Sequence, residues 1–322
     1  MDEQDSIIVE SYSDVCAQEW DEFVRKSRNG TFLFERPYMD YHKDRFTDCS
    51  LVFRQRKNGR IICLLPASVS GETVVSHGGL TYGGFIMPPD GLDGGKLLNV
   101  MAAAVDFYRG KGLKKLRYKM IPYIYHRYPS DEDYYALFRA SAGLVETNLS
   151  SVIELDNAYR FDERSRRNMS KAMRAGVVVK ESEDFGGYWH ILEEVLMSRH
   201  SVKPVHSLAE IQLLKARFPE NIRLFTATDS SGEIIAGSLL YYTPTCVHAQ
   251  YIAASESGRK TGALSLLFHH IITQECGGAK YFDFGTCNED HGLYLNEGLL
   301  LQKNGFGGRG IVYNIFEIDL TA

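Results

Sequence analysis

The chain has 322 residues but only six cysteines, Cys16, Cys49, Cys63, Cys246, Cys276 and Cys287, and no two of them form a C-x-x-C pair. This scatter excludes a zinc ribbon or a disulfide framework and predicts reduced, mostly buried thiols with no bound metal. No apolar run reaches the roughly 18 residues that a membrane-crossing helix needs. The segment Met1-Asp2-Glu3-Gln4-Asp5 is acidic, which does not read as a signal peptide, so the expected location is the cytoplasm. There is no excess of positive charge either. The formal net charge is −5, which argues against DNA as a partner and against non-specific nucleic-acid binding by the whole chain. A P-loop lysine, a G-x-G-x-x-G fingerprint, coiled-coil heptads and low-complexity tracts are also missing.

What is present is an ordinary globular composition, 44% hydrophobic and 24% charged, in a chain long enough for two cores. Strand and helix patterns alternate twice. Ser6–Tyr12 reads as a first strand, followed by helices around Trp20–Val24 and Tyr38–Phe46 and short antiparallel strands through Thr73–Ser76. Leu97, Met101, Ala104, Val105 and Tyr108 share one helical face. Ser130 with Asp133 approximates a capping box. The second half opens with a basic helix over Glu163–Ala175. It continues through a capping box at Ser207 and Glu210, three strands ending near Ala254, and a helix over Leu264–Cys276. A strand at Lys280–Phe284, a helix over Tyr294–Lys303 and a strand at Ile311–Ile318 complete it. Shifting the chain by 166 residues lays Gly112 on Gly278, Leu116 on Phe282 and Tyr118 on Phe284, a weak sign of a duplicated α/β unit. Two domains are expected, 1–158 and 159–322.

Several residues invite a chemical reading, each beside a plainer one. Ser257-Gly258-Arg259-Lys260-Thr261-Gly262 precedes a helix, and a helix N-terminus with nearby cations can hold a phosphate; the same residues also suit a simple strand-to-helix turn. Asp283 lies on an aromatic strand and either caps a backbone group or handles a proton. His248 and Tyr251, three apart on a strand, should face opposite ways. His248 could accept a substrate proton or be structural. Lys303, near a helix end, either grips a substrate anion or satisfies helix carbonyls. Arg164, Arg167, Lys171 and Arg174 form one basic helical face, for a phosphate-rich ligand or for solvent. The loop Gly78–Gly84, with His77 before it and Tyr82 inside it, either cradles a substrate or forms a bulged hairpin.

Three segments resemble the GNAT superfamily, and within it the Fem-type double-GNAT proteins. Arg259-x-x-Gly262 is similar to the cofactor turn of those enzymes, Tyr281-Phe282-Asp283-Phe284-Gly285 to the strand that follows, and Leu299–Gly307 to the late helix and glycine turn. Arg166–Val177 resembles the Fem-type entry into the second domain, and Ser76–Gly84 a segment of Fem-like proteins associated with bacterial polysaccharide synthesis. The resemblance implies tandem GNAT-like α/β domains, each a mixed, mostly antiparallel sheet flanked by helices. It implies an acyltransferase that moves an acyl group from acetyl-CoA or another acyl-CoA to an amine or hydroxyl of a small molecule or sugar, which can be nucleotide-activated. Arg259, Lys260 and Gly262 with the strand Ile252-Ala253-Ala254 would then bind the donor. Asp283, His248 and Lys303 would serve catalysis, and His77, Tyr82, Arg167, Lys171 and Tyr294 the acceptor. The alternatives are a Fem-type transferase that uses aminoacyl-tRNA, and a non-catalytic binding module. The chain departs from the family at Leu264, where Gly or Ala is usual, and at Leu301, where a tyrosine acid is common.

Overall fold

The computed structural model describes residues 7–200 and 202–321, the side chains of residues 199 and 200 excepted. It divides into two compact units: unit 1 holds the chain up to Asn148 together with the segment from Val312 on, and unit 2 runs from Leu149 to Ile311. This division differs from the expected boundary at 158/159, because two strands carry the chain across between units. Alternation along a strand reports its buried face but not which unit's sheet takes each of its halves.

Unit 1 runs through β1 (Ile7–Ser11), α1 (Ala17–Lys26), α2 (Arg36–Met39), β2 (Thr47–Asp48), β3 (Leu51–Gln55), β4 (Ile61–Leu65), β5 (Ser68–Ser70), β6 (Thr73–Val75), α3 (Gly94–Gly110), β7 (Lys115–Lys119), α4 (Glu132–Arg139) and the start of β8 (Gly143–Glu154). β1, β3 and β4 form a small antiparallel sheet. A second sheet follows the order β2-β5-β6-β7, in which only β6 and β7 run parallel, over the rungs Thr73↔Lys115, Val74↔Leu116 and Val75↔Arg117. The helical spacing of Leu97, Met101, Ala104 and Tyr108 is realised in α3, which buries all four. The Asp93 side chain caps α3 by accepting from the Lys96 amide at 2.9 Å. The expected helix over Tyr38–Phe46 is instead the single turn of α2 followed by a 3-10 turn at Asp40–His42. The expected capping box at Ser130 and Asp133 does not form. Ser130 donates to the Tyr128 carbonyl, and Asp133 is drawn into the core, where it accepts from the Tyr118 hydroxyl at 2.7 Å. Burial raises the pKa of Asp133 to about 7.

Unit 2 takes the rest of β8, then α5 (Glu163–Arg174), β9 (Val178–Glu181), α6 (Phe185–His200), α7 (Leu208–Arg217), β10 (Ile222–Thr228), β11 (Ile234–Tyr242), β12 (Cys246–Ala254), α8 (Glu256–Thr261), α9 (Ala263–His270), β13 (Tyr281–Thr286), β14 (Asn288–Glu289), β15 (Tyr294–Leu295) and α10 (Glu297–Gly305). Its sheet has the order β8-β13-β12-β11-β10-β9 and is antiparallel except between β12 and β13. On one face Phe268 of α9 packs on Phe282, Phe284 and Phe306. On the other face Trp189 of α6 meets the Tyr251 ring edge-on at 5.3 Å. The capping box of Ser207 and Glu210 opens α7 as expected. A final strand, β16 (Arg309–Asp319), returns the chain to unit 1, where Ile315–Asp319 pair antiparallel with β7. Both units are thus mixed, mostly antiparallel sheets flanked by helices. Among the described residues no helix is long and apolar enough to cross a membrane, and no group of His, Cys, Asp and Glu could hold a metal ion.

Candidate active site

β12 and β13 lie side by side over only three rungs, Cys246↔Tyr281, Val247↔Phe282 and His248↔Asp283. Beyond His248, β12 runs on to Ala254 without β13 beside it. On its other edge β12 pairs with β11, but the register slips between Leu239 and Leu240, which face Tyr251 and Ala249. Gln250 is therefore an extra, bulged residue. The bulge reverses the alternation expected for this strand. His248 stands opposite Tyr241 and Tyr251 opposite Leu239, and since Leu239 and Tyr241 share a face, so do His248 and Tyr251. Bulges leave no reliable mark in sequence.

At the last shared rung the two candidate proton-handling residues meet. His248 Nδ1 lies 2.8 Å from Asp283 Oδ2. Asp283 is 0% exposed, and its Oδ1 accepts from Ser150 Oγ at 2.6 Å and from the Gly285 amide at 2.8 Å. A carboxylate so placed accepts from Nδ1–H, which leaves Nε2 as the basic nitrogen of the ring. Nε2 has no hydrogen-bond partner among the described residues, and His248 is 9% exposed. Sequence reasoning found His248 and Asp283 separately but not their pairing, and it missed Ser150, which lies 133 positions from Asp283. It also missed His206, whose Nδ1 lies 2.7 Å from the Tyr251 hydroxyl. No local pattern marks either contact.

Lys303 has a different surrounding from a substrate grip. Its buried ammonium donates to the carbonyls of Gly285 and Thr286, both at 2.8 Å, and burial pulls its pKa down. Its visible role is to fasten the end of β13 to α10, which helps hold β13 away from β12. The neighbouring Cys287 thiol is pushed up by burial.

The phosphate-type turn takes a form the sequence did not give. Ser257–Thr261 lie inside α8, and Gly262, left-handed at φ 82°, ends α8 and begins α9. A side chain at this position would place Cβ 2.6 Å from the Asn168 carbonyl of α5, so the close approach of the helices depends on glycine. No side chain caps α9. A cavity of about 320 Å³ opens here, lined by Arg164, Ser165, Asn168, Arg259, Gly262, Leu264, Ser265, Leu301 and Gln302 among others. Arg259 also reaches back to the Ala254 carbonyl at 2.9 Å. Two guanidinium groups and an uncapped helix start favour phosphates in this cavity, beside the Asp162 carboxylate, whose Oδ1 is taken by the Ser165 amide at 2.6 Å.

The other expected site residues are dispersed. Lys260 does not line the cavity and pairs with Glu256 at 2.6 Å. Ile252, Ala253 and Ala254 pair with β11, which leaves alternate residues turning their backbone groups to the side without β13. Arg167 and Lys171 are exposed on α5, with Arg167 paired to Glu163 at 2.8 Å. Tyr294 is not helical, because α10 starts at Glu297; it lies exposed in the β14–β15 hairpin. In unit 1, Tyr82 is buried, with its hydroxyl 3.1 Å from Thr31 Oγ1 and its ring on Tyr125. His77 is buried too, and burial with His42 and Lys119 nearby drives its pKa down to about 3. The glycine loop packs on its own neighbours: a Cβ on Gly83 would sit 1.5 Å from the Ser76 carbonyl oxygen.

Residues 160–291 match the family model described as the acetyltransferase (GNAT) domain. No curated protein matches the chain. Among solved structures, FemX superposes with a TM-score of 0.66 at 12% identity, over 97% of each chain. L-PGS from Bacillus licheniformis gives a TM-score of 0.61 at 13% identity, over 95% of this chain and 92% of that one. A tandem GNAT protein from the clavulanic acid biosynthesis pathway gives 0.55 at 10% identity, over 98% and 99%. In fold the chain is similar to FemX and to the tandem GNAT protein, and residues 160–291, within unit 2, carry the sequence signature of the GNAT domain.

Proposed function

We propose that unit 2 transfers an acyl group from an acyl-CoA to an amine or hydroxyl of a small molecule or sugar, with His248 as the base. The observation that carries this reading is the imidazole fixed on buried Asp283, its Nε2 open, at the point where β12 and β13 part. Arg164, Arg259 and the start of α9 would hold the donor's phosphates. From Ala254 back to His248 is six residues, about 20 Å of extended strand, along which the donor's amide-bearing arm can lie against backbone groups not taken by β11. The acceptor's nitrogen or oxygen attacks the thioester carbonyl carbon while its proton passes to His248 Nε2. Collapse breaks the C–S bond, and the protonated imidazole can return that proton to the leaving thiolate, a task for which Leu301 is unsuited. Asp283 is a positioning residue: with both oxygens engaged it orients the ring and fixes its tautomer, as a buried carboxylate does for a catalytic histidine. Acetyl-CoA present at 100 times its Kd should raise the stability of the protein by about 2.7 kcal/mol, read as a melting shift of several degrees. Arg259→Ala should remove most of it. No shift at millimolar CoA or acetyl-CoA would defeat the reading.

A second reading, transfer from aminoacyl-tRNA, draws support from α5, where Arg164, Arg167, Lys171 and Arg174 are all exposed. It predicts binding of aminoacyl-tRNA that weakens steeply with salt, with no response to CoA. A protein that binds CoA and loses nothing on His248→Ala would instead be a binding module.

A further inference from the structure

Unit 1 has a cavity of about 300 Å³ that the transfer chemistry leaves unused, lined by Tyr123, Asp131, Tyr134 and Asn314 among others. Tyr123 and Tyr134 remain 53% and 51% exposed, although each ring is large and apolar enough to favour burial. Tyr134 is held in place by an edge-to-face contact with Phe316 at 5.7 Å. Its orientation is therefore set before anything binds, which lowers the ordering cost of a ligand. The polar groups in this cavity are planar and complementary. The Thr147 hydroxyl lies 3.0 Å from Asn314 Oδ1, which orients the amide and leaves Nδ2 to donate. The Asp131 carboxylate has no hydrogen bond or ion pair among the described residues and is an acceptor only.

We propose that this cavity binds a neutral pyranose ring of a glycan. A pyranose has an apolar C–H face and an equatorial rim of hydroxyls. Exposed tyrosine rings take the face through C–H contacts with the π-system, and a fixed amide with a carboxylate takes neighbouring hydroxyls. No lysine or arginine lines the cavity. Asp131 adds a negative charge, so a nucleotide-sugar diphosphate is repelled rather than held, and an anionic sugar likewise. The site stands on unit 1 alone and does not depend on the activity proposed for unit 2.

Isothermal titration of the full chain with cellotetraose, maltotetraose and chitotetraose, and separately with UDP-glucose, tests the proposal. At least one neutral tetrasaccharide should bind. Tyr134→Ala and Asn314→Ala should each weaken it tenfold or more in protein that remains folded, while Tyr134→Phe keeps the affinity. His248→Ala and Arg259→Ala should leave it unaltered, and acetyl-CoA should not compete. Absence of binding by all three neutral sugars at 10 mM-scale concentrations overturns the proposal. So does binding that survives both Tyr134→Ala and Tyr123→Ala, or binding of UDP-glucose alone.

Discussion

Among the described residues each unit contains one parallel strand pair of three rungs, and the two pairs are finished in opposite ways. In unit 1 the last rung is Val75↔Arg117; in unit 2 it is His248↔Asp283. The 166-residue shift puts Arg117 on Asp283, so the halves carry opposite charge at the same place. Beyond the rung, unit 1 closes. Ser76 Oγ accepts from the Lys119 amide at 2.7 Å, and the Gly83 amide donates to the Lys119 carbonyl at 3.1 Å, so the glycine loop stitches the gap shut. Unit 2 stays open, because Gly285 turns at φ 79° and Lys303 holds the next carbonyls. The helices differ in the same sense. Asp93 caps α3 with its own side chain, while α9 begins at an uncapped glycine. One scaffold thus gives a sealed half and a half in which the end of β12 lacks β13 beside it and the start of α9 lacks a side-chain cap. A duplicated fold does not imply a duplicated site.

The strongest test of the contrast is chemical. His248→Gln, whose amide can still donate to Asp283, should lower kcat by about 10²–10⁴ in protein that remains folded. Asp283→Asn should lower it to a similar degree by fixing the wrong tautomer, and the pH profile of kcat should move. A folded Asp283→Asn protein with wild-type kcat would remove the pair from catalysis. The next effect belongs to unit 1, where His77 is buried beside a second buried histidine, His42. The pKa of His77 lies near 3 in the fold against the ordinary value of about 6.5. Between those values the unfolded chain binds the extra proton, so stability rises with pH and is lost as the solution is acidified below 6.5. The loss should be on the order of 2–3 kcal/mol by pH 4, and denaturant titrations should show His77→Gln with a shallower acid limb. The smallest effect compares two helix starts. Gly262→Ala meets both the left-handed backbone and the Asn168 carbonyl, and should cost about 1–3 kcal/mol and weaken CoA binding. Gly94→Ala, with nothing nearer than 3.9 Å, should change stability by less than about 0.5 kcal/mol. Equal costs at the two positions would erase the distinction between the helix starts.

Much of the scaffold was legible because it follows local periodicity. The face of α3, the capping box at Ser207, the strand Tyr281–Thr286 and the match of Leu116 and Tyr118 with Phe282 and Phe284 all follow from spacing. The site was legible in its residue types but not in its arrangement. Gln250 adds one residue to β12 and so brings His248 and Tyr251 to one face, against the expected alternation. Ser150, His206 and the carbonyl partners of Lys303 come from distant segments, and a single sequence holds no record of such contacts. Asp133 shows the same limit: its spacing from Ser130 suits a cap, but the Tyr118 hydroxyl and a buried position claim it instead.

The return of β16 has a consequence for how the protein is made. Phe316, Ile318 and Leu320 belong to the hydrophobic core of unit 1, and the Leu320 amide donates to the Lys114 carbonyl. These residues are translated only after all of unit 2. At about 5–20 residues per second, the rest of unit 1 waits on the order of ten seconds or more for its closing strand. During that interval β7 presents a bare hydrogen-bonding edge beside an unfinished core, while unit 2, contiguous in the chain, can already complete its sheet. The usual order of synthesis, first domain folded first, is inverted here. The nascent chain is most exposed to chaperones, and to mispairing with other chains, through its earliest-made half.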